Sequence, residues 1–366
     1  MKRVFALDIL RGITIIGMIL VNTPGSWTYT YSPLLHAPWH GCTVADLVFP
    51  FFLFIMGLSM SLSMSKYGNS SFNDYKPLIG KVLKRGAMLF LIGLFLNTFP
   101  QFNLLEIRIP GVLQRIALVF VISAFILFRF NILQQYLISA SILISYWLIM
   151  IFVPVPNTHI TGIETSENLA AWVDSQLLMG HMWNFTKTWD PEGILSTFPA
   201  IVSGLLGISL GLRMFRSQKE GSLNVKFLLI EGFAFIGLGM IWHQFFPINK
   251  SLWTSSYVLL TTGIGYLIWI SLFWLLDMKK WRSSILNPIK SFGMNAITSY
   301  GLSIMTASIL YTISVGDTNA YDWIYQQFFN SWLDPYLASL MFAITFIVVM
   351  YLPIGWMDRK KIYLKV

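Results

Sequence analysis

The sequence predicts an all-α polytopic membrane protein, a bundle of about ten transmembrane helices with both termini in the cytoplasm. Composition is the first reason, because 55% of the 366 residues are hydrophobic and only 11% are charged, whereas about a quarter of a soluble domain is charged. The second is that the apolar residues form long runs, which suit spanning helices of roughly 20 residues and not the short alternating strands of a membrane barrel. The third is the alternation of basic loops along the chain.

Apolar runs of spanning length predict the helices in order. Their ranges are 9–23, 44–65, 79–99, 112–129, 135–154, 194–212, 227–246, 252–275, 289–313 and 335–353. Residues 1–366 are therefore expected to form a single transmembrane domain.

Lysine and arginine mark alternate loops, and the positive-inside rule assigns those loops to the cytoplasm. They are Lys66, Lys76, Lys81, Lys84, Arg85, Arg129, Arg213, Arg216, Lys219, Lys226, Lys279, Lys280, Arg282, Arg359, Lys360, Lys361 and Lys365. The alternation stays in phase over all ten predicted helices, which supports their number. The net charge of +9 thus reflects topology, and no nucleic-acid partner is expected.

The extracytoplasmic loop at about 155–193 is long and carries the stretch HMWNFTKTWDPEG. Loops of this length are usually lids or binding segments. At its end, Asp190 and Glu192 flank Pro191 just before a predicted helix, where acids are favoured by the helix dipole. The functional alternative is a pair of carboxylates that bind a cationic or hydroxyl-rich ligand.

The stretch LLHAPWHGCTVADLVFPFFLFIMG carries the strongest functional signal. The chain leaves helix 1 near Asn22, passes His36, Trp39 and His40, and enters helix 2 about one turn before Asp46. A carboxylate within a span costs roughly 2.5–3.5 kcal/mol on insertion scales and normally faces a polar cavity. Histidine, with an ordinary pKa of about 6.5, suits proton transfer at neutral pH. The alternative is structural: an interfacial His and Trp belt, with Asp46 capping helix 2.

Two polar residues lie inside predicted spans. Arg115, in IRIPGVLQRIALVF, either snorkels to the nearby surface or holds Asp46 or an anionic group. Asn295, in FGMNAITSY, needs a hydrogen-bond partner within the span.

No metal site is expected. The HxxxH spacing of His36 and His40 is interrupted by Pro38, which breaks the helix that would aim both rings at one ion, and no third ligand is evident. The single Cys42 gives neither a metal cluster nor an internal disulfide.

Seven segments together resemble the transmembrane acetyltransferase family of heparan-α-glucosaminide N-acetyltransferase, which has lysosomal and bacterial members. The segments are LDILRG, LVNTPG, HAPWHGCTVADLVFPFFLFIMG, RIPGVLQRIALVF, WDPEGILSTFPAIVSGLLG, PINKSLWTSSYVL and FGMNAITSY, from residue 7 to about residue 301. The resemblance implies a transmembrane, acyl-CoA-dependent N-acetyltransferase. It also implies acetyl-CoA as the co-substrate on the cytosolic side, and the amine of a glucosamine-type sugar as the acceptor on the far side.

The resemblance assigns catalytic roles as well. The family's active-site histidine, in its HAxW stretch, matches His36, and the asparagine of VN and the aspartate of ADLVFP match Asn22 and Asp46. His36 would act as a base or as an acetyl carrier, Asn22 would donate to the thioester oxygen, and Asp46 would orient the imidazole or the amine. His40 departs from the lysosomal enzyme, which has asparagine there.

Binding roles are expected for a further set of residues. For the amino sugar they are Asp190, Glu192, Trp39, His40 and Asn295, and for coenzyme A they are Arg115, Lys84 and Arg85, with Arg213 and Lys280 as additional cations. The expected location is the lipid bilayer of a bacterial inner membrane, with the active site open to the extracytoplasmic side. A homodimer is left open, and the alternative function is a sugar or solute transporter whose polar residues line a path.

Overall fold

The computed structural model describes residues 4–64, 72–219 and 223–364. The helices are α1 (Phe5–Asn22), α2 (Val44–Met64), α3 (Phe72–Thr98), α4 (Val112–Arg129), α5 (Ile132–Phe152), α6 (Leu169–Leu177), α7 (Ile194–Lys219), α8 (Val225–His243), α9 (Ser255–Phe273), α10 (Leu286–Met294), α11 (Ala296–Thr312), α12 (Ala320–Tyr325) and α13 (Pro335–Arg359). A π-helical turn, Trp274–Met278, extends α9. A small antiparallel hairpin pairs β1 (Ser314–Val315) with β2 (Thr318–Asn319). Lys66 and Lys365 of the predicted basic loops lie outside the described residues.

The predicted all-α membrane bundle is confirmed. Among the described residues, eight helices are long and apolar enough to cross a membrane: α1, α2, α4, α5, α7, α8, α9 with its π turn, and α13. Their outer faces carry exposed large apolar side chains, which on α8 are Phe227, Ile230, Phe233, Leu238, Met240 and Ile241. Such a surface suits lipid and would be costly in water.

The other two predicted spans differ in detail from the sequence interpretation. Helix α3 has 27 residues and begins at Phe72, ahead of the predicted start at 79. The predicted helix 289–313 is divided at Asn295 into α10 and α11. The Asn295 amide nitrogen lies 3.4 Å from the Ser291 carbonyl oxygen, one turn back. A short polar side chain that bonds to nearby backbone in this way favours a helix break.

Helix boundaries follow local capping chemistry that apolar runs do not report. Helix α5 starts before the predicted residue 135 because Asn131 and Gln134 form a reciprocal capping box. Helix α13 starts at Pro335, whose missing N–H costs nothing in the first turn, and the Asp334 side chain accepts from Tyr336 N at 3.0 Å.

The two ends of the bundle are distinguished by hydrogen bonds between distant segments. At one end, the Tyr321 hydroxyl donates to Pro24 O at 2.9 Å, and Gly41 N donates to Ile248 O at 2.7 Å. We call this the histidine end; it comprises the segments 23–43, 99–111, 153–193, 244–254 and 313–334. All the predicted extracytoplasmic loops lie here.

The opposite end, which we call the basic end, holds the start of α1 and the ends of α9 and α13. The Asp277 carboxylate caps α1 by accepting from Phe5 N at 3.1 Å and Ala6 N at 2.8 Å. Ser291 Oγ donates to the Asp358 carboxylate at 2.8 Å. The first and last described residues of the chain therefore lie at the same end of the bundle.

Helices α2 and α7 approach each other through glycines. A Cβ atom on Gly57 would overlap the carbonyl group of Gly204, and one on Gly207 would overlap the carbonyl group of Phe54. Small residues of this kind allow helix backbones to come close within a membrane. The contact positions the first turn of α2, where Asp46 lies, against the core.

The long loop at the histidine end is anchored to α7 by α6. Asp174 of α6, 2% exposed, accepts from Ile194 N at 2.9 Å and from Asp190 N at 3.2 Å. Its burial raises the pKa of this carboxyl to about 6, although the two backbone N–H groups favour the ionised form. The loop expected at 155–193 is thus an ordered segment that contains a helix.

Candidate active site

A histidine and an aspartate form the centre of the site. Asp46 is completely buried in the first turn of α2, and its Oδ1 atom lies 2.8 Å from His36 Nδ1. The His36 side chain is 45% exposed. Because a carboxylate only accepts hydrogen bonds, Nδ1 carries the hydrogen, and a neutral imidazole keeps its lone pair on Nε2.

The same carboxylate also caps helix α2. Its second oxygen, Oδ2, accepts from Thr43 N at 2.9 Å and from Ala37 N at 3.1 Å. A side chain at the third helical position that bonds back to the N-cap N–H is one half of a capping box. Asp46 therefore caps α2 through one oxygen and contacts His36 through the other.

Lys250 is the third member of the cluster and comes from the loop between α8 and α9. Its Nζ atom lies 2.9 Å from His36 Nε2, 3.1 Å from His36 Nδ1 and 3.9 Å from Asp46 Oδ1. Burial lowers the pKa of Lys250, and the charge of Asp46 partly offsets this. The loop is fixed by the buried Asn249, whose Oδ1 accepts from Leu252 N at 2.9 Å.

Sequence reasoning did not place Lys250 in the site. The available signal was its position in PINKSLWTSSYVL, a polar segment between two apolar runs at the histidine end. The pairing with His36, 214 residues away along the chain, is visible only in three dimensions.

Asn22 ends α1 at the histidine end, and its side chain is exposed. No hydrogen bond among the described residues joins it to His36 or Asp46. The three predicted catalytic residues thus share one end of the bundle, and two of them are in direct contact.

Trp39 and His40 connect this centre to the long loop. Trp39 Nε1 donates to Ile163 O at 2.8 Å, and its ring packs edge-on against Trp189 with 5.6 Å between centroids. His40 Nε2 lies 3.5 Å from the Glu164 carboxylate. The loop therefore borders the histidine site, with aromatic surface and a carboxylate next to it.

Asp190 and Glu192 are held by an arginine that the sequence interpretation missed. Arg108 donates to Asp190 through Nε at 2.8 Å and through Nη2 at 2.6 Å, and Nη2 also contacts Glu192 at 2.5 Å. Burial opposes the charge of Arg108, but Glu192 and Asp190 more than offset it, so its pKa is raised. Both carboxylates are therefore paired with one guanidinium group, which balances one of their two negative charges, and the Asp190 side chain has no exposed surface.

Arg115 is buried in α4 and does not snorkel, with 1% of its surface exposed. Among the described residues it forms no ion pair with Asp46. It donates instead through Nη2 to Ser196 Oγ at 2.5 Å and Gly193 O at 3.1 Å, and it lies over the Trp253 ring. Its Nε and Nη1 atoms have no hydrogen-bond partner in the part of the chain that the structure describes, and it lines a cavity of about 270 Å³ beside Glu192.

A larger cavity of about 500 Å³ lies between α1, α2, α3, α4 and α10–α11. Arg11, Ser63, Arg85 and Leu364 line it towards the basic end, and Met18, Phe52, Val112 and Tyr300 line it towards the histidine end. Phe52 is six residues after Asp46, which corresponds to about 9 Å along α2. Most of the remaining lining is apolar, and Lys84 is exposed and does not contribute to it.

Asn295 stands at the helix break and is 2% exposed, and its Oδ1 atom has no hydrogen-bond partner within the described segments. The flanking residues Gly293, Met294 and Ala296 line the larger cavity. Its position is therefore beside the cavity and not in the cluster around His36.

The fold and the site together define a polytopic helical membrane protein with a paired His–Asp centre at one end and a cavity within the helix bundle. Residues 3–241 match the family described as "Heparan-alpha-glucosaminide N-acetyltransferase, catalytic". The chain belongs to this family.

Two curated relatives carry the name heparan-alpha-glucosaminide N-acetyltransferase. The Homo sapiens protein is 29% identical over 355 residues, covering 81% of this chain and 52% of the relative. The Mus musculus protein is 30% identical over 360 residues, covering 82% of this chain and 53% of the relative. The chain spans about half the length of these relatives.

Proposed function

We propose that the protein is a membrane N-acetyltransferase that moves the acetyl group of acetyl-CoA to the amine of a glucosamine-type sugar. The observation that carries the proposal is the His36–Asp46 pair, in which a buried carboxylate holds Nδ1 and leaves Nε2 as a base on a half-exposed ring. Family membership supports the same reaction class, since both relatives are named for it.

The chemistry follows from this geometry. The acceptor nitrogen attacks the thioester carbonyl, His36 Nε2 takes the proton that the nitrogen loses, and the C–S bond breaks to give the amide. The proton then passes to the coenzyme A thiolate, which leaves as the thiol. Asp46 stabilises the transient imidazolium through Nδ1. Asn22, at the same end of the bundle, is proposed to donate to the carbonyl oxygen.

The larger cavity is proposed as the donor site. Arg85 and Arg11 would meet the phosphates of coenzyme A at the basic end, and the apolar lining would hold the pantetheine chain. By the positive-inside rule the basic end faces the cytoplasm, where the donor would enter. We assign Arg115 to holding the α4–α7 contact next to the reaction centre and not to the phosphates.

The acceptor is proposed to bind at the histidine end, beneath the long loop. Trp39 and Trp189 offer aromatic surface for a sugar ring, and Glu164 with His40 offers polar contacts. Glu192, 8% exposed at its side chain and paired with Arg108, is proposed to accept from sugar hydroxyls, whereas Asp190 would act by ordering Arg108.

Thiol release from acetyl-CoA by the purified protein tests the proposal, measured with and without glucosamine. Glucosamine-dependent release is expected for the native chain and is expected to fall by at least about 10²-fold in His36→Ala. His159→Ala is the matched control, because His159 is an exposed histidine at the same end. If the native chain releases no thiol with any amino sugar while it binds the sugar and moves it across vesicles, the protein is a transporter instead.

A further inference from the structure

We propose that Lys250 is a positioning residue that keeps His36 unprotonated, so that Nε2 is available as the base when the acceptor arrives. This rests on the proposed acetyl transfer and adds a third residue to the reaction centre. Lys250 acts on His36 and is not itself the base.

The charges in contact with His36 favour the neutral imidazole. Nδ1 donates to Asp46 at 2.8 Å, and Lys250 Nζ lies 2.9 Å from Nε2 and 3.1 Å from Nδ1, so the ammonium group contacts the ring nearly midway between its two nitrogens. In an imidazolium, the positive charge of the ring would lie in contact with an ammonium group of the same charge. The charge of Lys250 therefore opposes protonation of His36.

Without Lys250, the pairing would favour the wrong state of the base. A buried carboxylate next to an imidazole stabilises the imidazolium and raises its pKa, by about 1–3 units for close charges. A histidine shifted in this way would be largely protonated at neutral pH and could not accept a proton. The ammonium group of Lys250, 2.9 Å from the ring, opposes the effect of Asp46, 2.8 Å from it.

The other groups near His36 do not replace Lys250. Burial, with the charge of Asp46, raises the pKa of the Cys42 thiol to about 12, so this side chain is neutral. Tyr257 of α9 donates its hydroxyl to Asp46 O at 2.5 Å. Glu192 is paired with Arg108, and Arg115 is bonded to Ser196 and Gly193. Asp46 and Lys250 are thus the two charged groups in direct contact with His36 among the described residues.

Lys250 Nζ lies next to the position that an acceptor amine must occupy, which is in the ring plane in line with the Nε2 lone pair. The Lys250 side chain is 18% exposed, and its unbranched chain can rotate. An incoming amine would therefore find an unprotonated base. Lys250 would remain close enough to favour return of the proton from His36 to the leaving thiolate.

The test is to measure kcat/KM for glucosamine as a function of pH in Lys250→Met, Lys250→Gln and Lys250→Arg. The value for each variant is divided by the native value at the same pH, which cancels the effect of the ionisation of glucosamine itself. The acid limb is the pH range in which kcat/KM falls as the pH is lowered. Loss of the Lys250 charge is expected to shift this limb to higher pH by about 1–3 units. The ratio should thus fall to about one-tenth or less near pH 6 and return to within about threefold of unity at high pH. Lys250→Arg, which keeps the charge, is expected to leave the limb within about half a unit.

Lys187→Met is the matched control, because it removes an exposed lysine from the same end and should leave the limb unchanged. A second readout does not depend on turnover: the NMR titration of the His36 ring, assigned among the five histidines by its loss in His36→Ala. Its pKa is expected to rise in Lys250→Met and Lys250→Gln. If both variants titrate like the native ring, or lose activity equally at all pH values, the proposal is wrong. If the native chain shows no transfer, the proposed function is wrong, and the ring titration still decides the effect of Lys250.

Discussion

The Asp46 carboxylate binds His36 Nδ1 through one oxygen at 2.8 Å and caps helix α2 through the other, which accepts from Thr43 N at 2.9 Å. The first turn of α2 therefore fixes the orientation of the His36 imidazole, because the carboxylate that binds the ring also caps this helix. A displacement of α2 would move Asp46 and His36 together.

Asp46→Asn should separate the two tasks of this side chain. The amide oxygen can still accept from Thr43 N, so the thermal midpoint should fall by only a few degrees, in line with a cap contribution of about 1 kcal/mol. The amide cannot stabilise an imidazolium, and kcat should fall by about 10²–10⁴-fold. Turnover and thermal unfolding of the same sample check this. Unchanged turnover would mean that Asp46 serves only the helix.

Arg85→Gln should weaken binding of acetyl-CoA. Arg85 lines the larger cavity and Lys84, its neighbour in the chain, does not, so Lys84→Gln is a control of equal charge change. Loss of a charge-assisted contact with a phosphate is worth about 1–2 kcal/mol, which corresponds to a KM for acetyl-CoA raised by roughly tenfold at similar kcat. Equal effects of the two substitutions would show that only the general charge of this end matters.

Gly57→Ala should destabilise the bundle because the new Cβ would overlap the Gly204 carbonyl group. Overpacking of this kind costs about 1–3 kcal/mol. Gly237→Ala in α8 is the comparison, since a Cβ there meets open space and alanine is the better helix former by about 1 kcal/mol. Thermal unfolding in one detergent should therefore show the first variant below the native chain and the second at or above it. The opposite order would rule out a close α2–α7 contact.

The stability of the loop anchor should depend on pH through Asp174. Its pKa is raised from the ordinary 3.8 to about 6, so the folded state holds this proton more tightly than the unfolded state does. The native chain should then lose stability relative to Asp174→Asn as pH rises from about 4 to about 6, by up to about 3 kcal/mol, with no further loss above that.

Thermal unfolding of both proteins at pH 4.5, 6 and 7.5 measures this difference. Asp317→Asn, at an exposed carboxylate of the same end, controls for the general effect of removing a charge. A difference between the native chain and Asp174→Asn that is constant with pH would contradict the raised pKa.

Much of the architecture could be predicted from local features of the sequence. Spanning length, apolar composition and basic loops depend on segments of about 20 residues, so the bundle and the positions of its main helices were accessible without tertiary contacts. The ends of α5 and the break at Asn295 were not predicted correctly, because they depend on side chains that bond to the backbone and not on apolar length.

For the candidate site, the proximity of His36 and Asp46 could be predicted from local sequence, since ten residues separate them and a helix start fixes one of the two. The charged groups that face this pair depend on tertiary packing. Lys250 and Arg108 reach their partners across 214 and 82 residues respectively, and no local rule selects such a pairing. A buried charge must be matched by another charge or by hydrogen bonds, but which segment supplies the match depends on how the helices pack.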